Sequence, residues 1–210
     1  MYKIDVRVLG MVATNCYLLC NTDTKECVLI DPADNAGKIS EMIEQSGCTL
    51  KGILLTHGHF DHVMAVDSVR AAYHIPVYAA EAEKETMHDA SINLSINMGG
   101  AMLSIEADHW LKDGETITLL DQEVRCILTP GHTVGGMCFY FPKAGMLFSG
   151  DTLFQESVGR TDFPGGSMSE IVRSIREKLF VLPDAVQVYP GHGLMTSIKN
   201  EKMFNPFAVE

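Results

Sequence analysis

The 210-residue sequence is short of basic residues. Its 16 lysines and arginines stand against 27 aspartates and glutamates, which gives a formal net charge of −11 at pH 7. A protein whose main partner is the phosphate backbone of a nucleic acid needs a basic surface. The charge balance therefore predicts that nucleic acid is not a partner.

Long apolar runs and export signals are also missing. No apolar stretch approaches the roughly 20 residues that a membrane helix needs, and charged side chains at Lys3, Asp5 and Arg7 interrupt the N-terminal region. The six cysteines form no C-x-x-C pair, and most lie in apolar segments where a free thiol packs as a small hydrophobe. These features predict a cytoplasmic protein with no membrane partner.

No linker-like or low-complexity segment interrupts the chain, so we expect residues 1–210 to form a single domain of the α/β class. Strands are predicted at 2–9, 16–20, 27–30, 53–55, 76–79, 115–120, 123–128, 137–141, 146–148 and 186–188, and helices at 36–46, 63–73, 81–90 and 169–180. Residues 91–104 follow neither pattern. The two halves of this order resemble each other, which indicates a rough internal two-fold repeat.

Three histidines and an aspartate follow the strand at 53–55 within six positions: His57, His59, Asp61 and His62. The carboxyl end of a strand is where α/β sheets usually bind ligands. Imidazole nitrogen and carboxylate oxygen are ligands for zinc, and also for iron or manganese. His57 and His59 can converge on one ion while Asp61 and His62 point towards a second. A polar loop with scattered histidines is disfavoured, because imidazoles this close repel each other once protonated.

Three more strands end in a tight turn that presents a histidine or an aspartate. His132 follows the strand at 123–128, Asp151 follows 146–148, and His192 follows 186–188. Asp31, after another strand, is either a carboxylate that supports the metal loop from behind or a turn former before proline.

The motif His57-x-His59-x-Asp61-His62, followed in this order by the turns that carry His132, Asp151 and His192, resembles the metallo-β-lactamase superfamily. The resemblance is greatest to its glyoxalase II (hydroxyacylglutathione hydrolase) branch. The resemblance runs from about residue 14 to residue 207 and includes Thr14-Asn15-Cys16-Tyr17-Leu18. It implies an αββα four-layer sandwich of two mixed β-sheets flanked by helices. The chain is expected to be a short form without the C-terminal helical domain of longer members, which removes part of the expected glutathione site.

The resemblance also implies a ligand set for two divalent ions, most simply zinc, with iron or manganese as alternatives. One ion is assigned to His57, His59 and His132, the other to Asp61, His62 and His192, and Asp151 bridges both. Two such ions can share a hydroxide that acts as nucleophile at neutral pH. The expected activity is hydrolysis of a small acyl thioester such as S-lactoylglutathione, with catalysis depending on His57, His59, Asp61 and Asp151.

Substrate contacts are expected from the 159–163 segment. Arg160 could clamp a substrate carboxylate through two hydrogen bonds, and Phe163 lies beside it in the sequence. The alternative is that Arg160 pairs with Asp162 and orders the loop.

Three other functions remain to be weighed. Persulfide dioxygenases resemble the same branch, share the Gly159-Arg160-Thr161-Asp162-Phe163 segment, and use one iron at the positions of His57, His132 and Asp151. A metal-stabilised scaffold is disfavoured because structural zinc usually occupies closed, cysteine-rich sites. A secreted β-lactamase is disfavoured because export is not signalled.

Overall fold

The structure is a computed structural model that describes residues 1–208. Its first sheet has six strands in chain order: β1 (Tyr2–Leu9), β2 (Thr14–Asn21), β3 (Glu26–Ile30), β4 (Thr49–Leu54), β5 (Val77–Ala80) and β6 (His109–Leu111). β1, β2 and β3 are antiparallel neighbours, whereas β3 to β6 run parallel. The sheet is therefore mixed.

The second sheet also has six strands, in the spatial order β14-β13-β10-β9-β8-β7. Their bounds are β7 (Thr116–Leu119), β8 (Gln122–Leu128), β9 (Met137–Phe141), β10 (Met146–Gly150), β13 (Gln187–Pro190) and β14 (Thr196–Ser197), and a separate hairpin is formed by β11 (Leu153–Phe154) and β12 (Ser157–Val158). Only β10 and β13 pair in parallel among the described strands of this sheet.

The helices are α1 (Ala36–Ser46), α2 (Phe60–Val63), α3 (Val66–Tyr73), α4 (Lys84–His88), α5 (Met168–Ser174) and α6 (Ile198–Phe204). α1 has the predicted bounds. Its first turn is capped by the side chain of Asn35, which accepts a hydrogen bond from the backbone N–H of Lys38. It ends at Gly47, whose φ of 64° is left-handed and favours glycine.

Side chains of successive strand residues pack into different layers. In β2, Leu18 packs with α1 and α3 on the outer face of the first sheet, while Tyr17 and Leu19 pack between the two sheets. In β9, Phe139 lies in this central layer, whereas Tyr140 packs against α5 on the outer face of the second sheet. Such period-two alternation with both faces buried produces four layers. The αββα sandwich expected from the sequence is confirmed.

The central layer is rich in aromatic residues. Phe139, Phe141 and Phe148 are among the largest fully buried side chains of the described residues, and Phe148 stacks on Tyr189 with ring centroids 5.4 Å apart. Burial of one such side chain contributes about 1.5–3 kcal/mol. This packing fixes the distance between the sheets, and with it the position of the loops at their common edge.

Several element boundaries differ from the sequence-based expectation. The helix predicted at 63–73 begins only at Val66, as α3, and the short helix α2 before it was not predicted. The helix predicted at 169–180 changes to a π-helical turn at Ile175–Leu179. The turn between β7 and β8 is formed by Leu120 and Asp121, with φ of 54° and 58°, one residue earlier than expected. Two positive φ values match the twist of a two-residue hairpin, but leucine gives no sequence signal for them.

Within residues 1–208, every helix is too short or too polar to cross a membrane.

Candidate metal centre

The predicted ligands lie on segments that follow strands of both sheets. After β4, in the first sheet, the loop carries His57 and His59, and helix α2, which follows it, carries Asp61 and His62. In the second sheet, the loops after β8, β10 and β13 carry His132, Asp151 and His192. All seven are brought together at one edge of the sandwich. The sequence-based prediction that these distant turns meet therefore agrees with the structure, and their role as ligands stays a prediction.

The two sheets are joined beside this edge by the start of β2. Thr14 forms an isolated β-bridge with His192, and the backbone N–H of Asn15 donates to the carbonyl of Gly191 at 2.7 Å. The side chains of Asn15 and Tyr17 both donate to the carbonyl of Pro190, at 3.0 and 2.7 Å. These bonds hold the His192 loop of the second sheet against the first.

His57, His59 and His132 form the first group that could hold an ion. One ligand atom from each lies within 4.8 Å of the others. Nδ1 of His59 and Nε2 of His132 face each other at 3.0 Å. Convergence of ring nitrogens on one point is the arrangement that a shared cation requires.

Asp61, His62 and His192 form the second group. Oδ2 of Asp61 lies 3.4 Å from Nε2 of His62 and 3.3 Å from Nε2 of His192. Asp151 stands between the two groups: its Oδ2 is 3.5 Å from Nε2 of His192 and 3.6 Å from Nε2 of His132. Asp151 therefore lies within reach of both groups, as its predicted role as a shared ligand requires.

Buried polar atoms without a hydrogen-bond partner are concentrated here. Of the five such side-chain atoms among the described residues, four belong to the centre: Nε2 of His57, His59 and His62, and Oδ1 of Asp151. A buried unpaired polar atom costs about 1–3 kcal/mol. Bound cations would satisfy Nε2 of His57, Nε2 of His62 and Oδ1 of Asp151, so the cluster of histidines and aspartates fits a dinuclear site. His59 faces the first group through Nδ1 instead, and its Nε2 is not among the atoms that the cations would satisfy.

The electrostatics of the centre favour the protonation states that bind metal at His57, His59 and Asp151. Burial and then the neighbouring imidazoles lower the pKa of His57 well below its ordinary value, and burial lowers the pKa of His59 to about 3. Burial alone would raise the pKa of Asp151, but the adjacent His62 reverses this and the pKa falls below its usual range. Neutral imidazole and ionised carboxylate are the forms with lone pairs for a cation. Burial would also lower the pKa of His62 and His192, but the carboxylates around them, Asp61 first, outweigh burial and raise both pKa values.

Hydrogen bonds from behind orient two of the rings. Nδ1 of His62 lies 2.9 Å from Oδ2 of Asp31, and Nδ1 of His132 lies 2.7 Å from the carbonyl of Arg160. Each ring therefore donates from Nδ1 and turns Nε2 towards the centre. Asp31 fulfils both expectations for it: it supports His62 and, with φ of 51°, it also forms the turn.

Glu83 has a place that the sequence did not reveal. It was expected on a charged surface helix, but it is 1% exposed. Its Oε1 accepts a hydrogen bond from the backbone N–H of Gly58 at 3.0 Å. Its Oε2 accepts from the hydroxyl of Thr133 at 3.0 Å and from the N–H of Gly135 at 2.8 Å. One buried carboxylate thus ties the loop after β4 to the loop that carries His132.

Replacing Glu83 with alanine is expected to destabilise the protein and to weaken metal binding by the first histidine group. The substitution leaves the N–H groups of Gly58 and Gly135 buried without an acceptor, at about 1–3 kcal/mol each. We expect the free energy of unfolding to fall by about 3 kcal/mol or more, with lower metal content after dialysis. Urea denaturation and metal analysis measure the two effects.

Glu81→Ala is the matched control, since Glu81 lies in the same turn and is exposed. Among the described residues, its carboxylate forms an ion pair with Lys112 alone, at 3.8 Å, and an exposed pair of this kind contributes little. Equal stability and equal metal content in the two variants would contradict the role given to Glu83.

A cavity of about 230 Å³ opens directly onto the centre. Arg160 and Phe163, the two predicted substrate contacts, both line it. Arg160 also donates to both carboxylate oxygens of Asp162, at 2.9 and 2.7 Å. The loop-ordering pair considered as the alternative is therefore formed, and a role of Arg160 in substrate binding stays a prediction.

Comparisons with known proteins agree with this architecture. The family model described as "Metallo-beta-lactamase superfamily" matches residues 9–192. A protein of Bacillus subtilis, "Probable metallo-hydrolase YqgX", is 38% identical over 95% of this chain and 94% of its own length. "Hydroxyacylglutathione hydrolase GloC" of Haemophilus influenzae is 34% identical over 98% of this chain and 97% of its own length.

Solved structures show the same fold over nearly the whole chain. The crystal structure of the BLEG-1 B3 metallo-beta-lactamase superposes with a TM-score of 0.93 at 38% identity, covering 99% of this chain and all of its own. TTHA1623 in a di-iron-bound form superposes with a TM-score of 0.85 at 34% identity, covering 97% and 99%.

Proposed function

The chain belongs to the metallo-beta-lactamase superfamily, and from this premise we propose that it is a dinuclear hydrolase of small acyl thioesters. The observation that carries the proposal is the position of Asp151 between two groups of ligating side chains. A pair of groups joined by one carboxylate suits two ions that act together on one substrate.

Zinc is the cation proposed for the centre, because its usual ligands are imidazole nitrogen and carboxylate oxygen. Iron is the next candidate, supported by the di-iron form of TTHA1623. When bound, two such ions lower the pKa of water towards neutrality and polarise a carbonyl oxygen.

The protein's own residues supply the rest of the chemistry. Asp61 lines the cavity and is fixed by a 2.7 Å hydrogen bond from the hydroxyl of Thr14 to its Oδ2. From this position its carboxylate can accept a hydrogen bond from the attacking water and orient it towards the acyl carbon. The new C–O bond replaces the C–S bond, and the departing sulfur leaves as a thiolate that needs little help from an acid. Water supplies the proton that the thiolate later takes.

Cysteine is not proposed as the nucleophile. Cys126 and Cys138 lie within strands and are fully buried. Burial raises the pKa of Cys126 to about 12 and that of Cys138 to about 11. A thiol of this kind carries almost no thiolate at neutral pH, so it is a poor nucleophile.

The name of the Haemophilus influenzae relative, a hydroxyacylglutathione hydrolase, supports a thioester as the substrate class. The name of the BLEG-1 protein raises a β-lactam as a second acyl substrate to be tested. Hydrolysis of a thioester and hydrolysis of a β-lactam are both acyl transfers to water. A thioester suits the centre better because its leaving group, a thiolate, is the more stable anion.

Metal analysis combined with a substrate panel tests the proposal. We expect about two divalent ions per chain and turnover of S-lactoylglutathione or another acyl thioester that stops when a chelator removes the metal. Restoring zinc should restore the rate. The panel includes a β-lactam and a persulfide. Two bound ions with no thioester turnover, or faster turnover of the β-lactam, would overturn the assignment.

An iron-dependent persulfide dioxygenase is the second candidate. The observation in its favour is that the 159–163 segment, the feature that the sequence shares with persulfide dioxygenases, lies against the centre, where the carbonyl of Arg160 accepts the hydrogen bond of His132. About one iron per chain, with oxygen uptake on a persulfide and no thioester turnover, would favour this function over the first.

A further inference from the structure

The cavity over the candidate centre has an apolar lining. Apart from Arg160, its polar lining residues are all predicted metal ligands. The others are apolar: Val12, Phe60, Leu94, Met98, Phe154 and Phe163. A bound substrate would therefore meet the ions on one side and hydrocarbon on the others. Apolar walls with few polar groups favour ligands whose buried part is apolar.

One wall is formed by residues 91–104, which the sequence analysis could not place. Leu94 has a left-handed φ of 67° and lies just before a π-helical turn at Ser95–Gly99. This conformation is uncommon for a residue with a bulky side chain. In this conformation the side chain of Leu94 is buried in the cavity wall, with 8% of its surface exposed.

Buried hydrogen bonds hold this wall in place. The carbonyl of Asn93 accepts from the N–H of Phe60, at 2.9 Å, in the helix that carries two predicted ligands. The side chain of Asn93 donates to the carbonyl of Leu103 at 3.0 Å, and the hydroxyl of Ser95 accepts from the N–H of Leu103 at 3.0 Å. The wall is thus anchored both to the ligand loop and to itself.

Two aromatic rings stand beside the ligand groups. Phe163 lies 5.5 Å from the ring of His59, and Phe154 lies 6.3 Å from the ring of His192. Because one ring adjoins each group, a substrate held between the ions is in reach of apolar surface on both sides.

Arg160, the single basic side chain besides histidine in this described lining, already has a partner. Its guanidinium group binds both carboxylate oxygens of Asp162 and stacks over the ring of Phe163, with Cζ 4.2 Å from the ring centroid. A substrate carboxylate would have to displace Asp162. The net charge of −11 adds a repulsion that acts against anions such as glutathione derivatives, whose two carboxylates outnumber their one ammonium group.

From these features we propose that the cavity selects thioesters with a short, uncharged, apolar acyl group and disfavours substrates that present carboxylates near Arg160. This inference rests on the thioester hydrolase function proposed above. The volume of about 230 Å³ is below the range of roughly 300–1,000 Å³ typical for drug-sized ligands. It therefore encloses a chain of a few carbons while the thiol part extends towards solvent.

A homologous series of thioesters of one neutral thiol, N-acetylcysteamine, tests the proposal. From acetyl to hexanoyl, kcat/KM should rise by about fourfold for each methylene until the cavity is filled. S-Lactoylglutathione should have a lower kcat/KM than the hexanoyl thioester. A flat series, or a preference of more than tenfold for S-lactoylglutathione, would overturn the inference.

Leu94→Asn is the informative variant. Asparagine adopts the left-handed conformation more readily than leucine, so the backbone of the wall is retained while its apolar surface is lost. In this variant, the rise in kcat/KM for each added methylene of the acyl group should fall from about fourfold to below twofold. Met203→Ser is the control: Met203 is 58% exposed on α6 and lies outside the lining, so the series should keep its slope.

Asp162→Asn tests whether Asp162 keeps the guanidinium group of Arg160 from binding a substrate carboxylate. Once the exposed ion pair is removed, Arg160 is free to bind a carboxylate, and kcat/KM for S-lactoylglutathione should rise by about two- to fivefold relative to the acetyl thioester. An unchanged ratio would contradict the role assigned to Asp162.

Binding of straight-chain alkanoates, the acids that hydrolysis would release, separates the two proposals. Calorimetry on the zinc-loaded protein should show affinity increasing with chain length, and this increase should be lost in Leu94→Asn. If no thioester is hydrolysed but alkanoates follow this trend, the proposed function fails and the apolar selectivity stands. If thioesters are hydrolysed without any trend in either series, the selectivity alone is wrong.

Discussion

Replacing Asp151 with alanine is expected to lower kcat/KM for a thioester by about a thousandfold or more. The carboxylate lies between the two ligand groups, so its loss would remove the predicted shared ligand of both ions. Metal ions contribute several kcal/mol to stabilising charge in such transition states, and each 1.36 kcal/mol is a factor of ten in rate. The metal content of the isolated variant should fall below two ions per chain.

His57→Ala should have an effect of similar size, because the Nε2 atom of His57 is buried without a hydrogen-bond partner and its expected use is metal binding. His109→Ala is the matched control. His109 is an exposed histidine on β6 that stacks on Tyr78, and it lies outside the centre. Circular dichroism verifies that all three variants fold. Unchanged turnover in both Asp151→Ala and His57→Ala would remove the proposed mechanism.

Removal of metal from the wild-type protein is expected to lower its melting temperature by about 8–16 °C. Ligands present at a thousand times their dissociation constant stabilise the folded state by about 4 kcal/mol, and each kcal/mol shifts the midpoint by about 2–4 °C in a chain of this size. The physical reason is that, once the metal is removed, Nε2 of His57, Nε2 of His62 and Oδ1 of Asp151 stay buried without a partner. Thermal unfolding with zinc and with excess chelator measures the shift.

The same measurement on His57→Ala and Asp151→Ala provides the control. In these variants the chelator should lower the melting temperature much less, since their metal binding is already impaired. A wild-type protein that melts at the same temperature with and without chelator would indicate that the centre holds no tightly bound ion.

Much of the centre could be predicted from the sequence because its signals are local. His57, His59, Asp61 and His62 follow one apolar strand, and the other three predicted ligands each follow a strand of their own. A strand that ends in a glycine-containing turn with a histidine or an aspartate gives a pattern that is visible without a structure. The order of these turns also identified the superfamily and the four-layer fold.

The supporting contacts could not be predicted because their partners are far apart in the chain. Glu83 is separated from Thr133 by 50 positions, and its neighbours Glu81 and Lys84 suggest only a solvated turn. The Thr14–Leu18 segment was recognisable as part of the resemblance, but its physical role, holding the loop after β13, became apparent only with the structure. Residues 91–104 lack periodicity because a π-helical turn and a left-handed leucine follow neither the helical nor the strand repeat.

The division of the ligands between the two sheets has a further consequence. The first sheet supplies four of the seven predicted ligands and the second supplies three, so a slide of one sheet over the other moves two halves of a coordination shell apart. The affinity for metal therefore depends on how the two sheets are aligned. A substitution in the aromatic layer around Phe148 that is too mild to unfold the protein would first lower its affinity for metal ions.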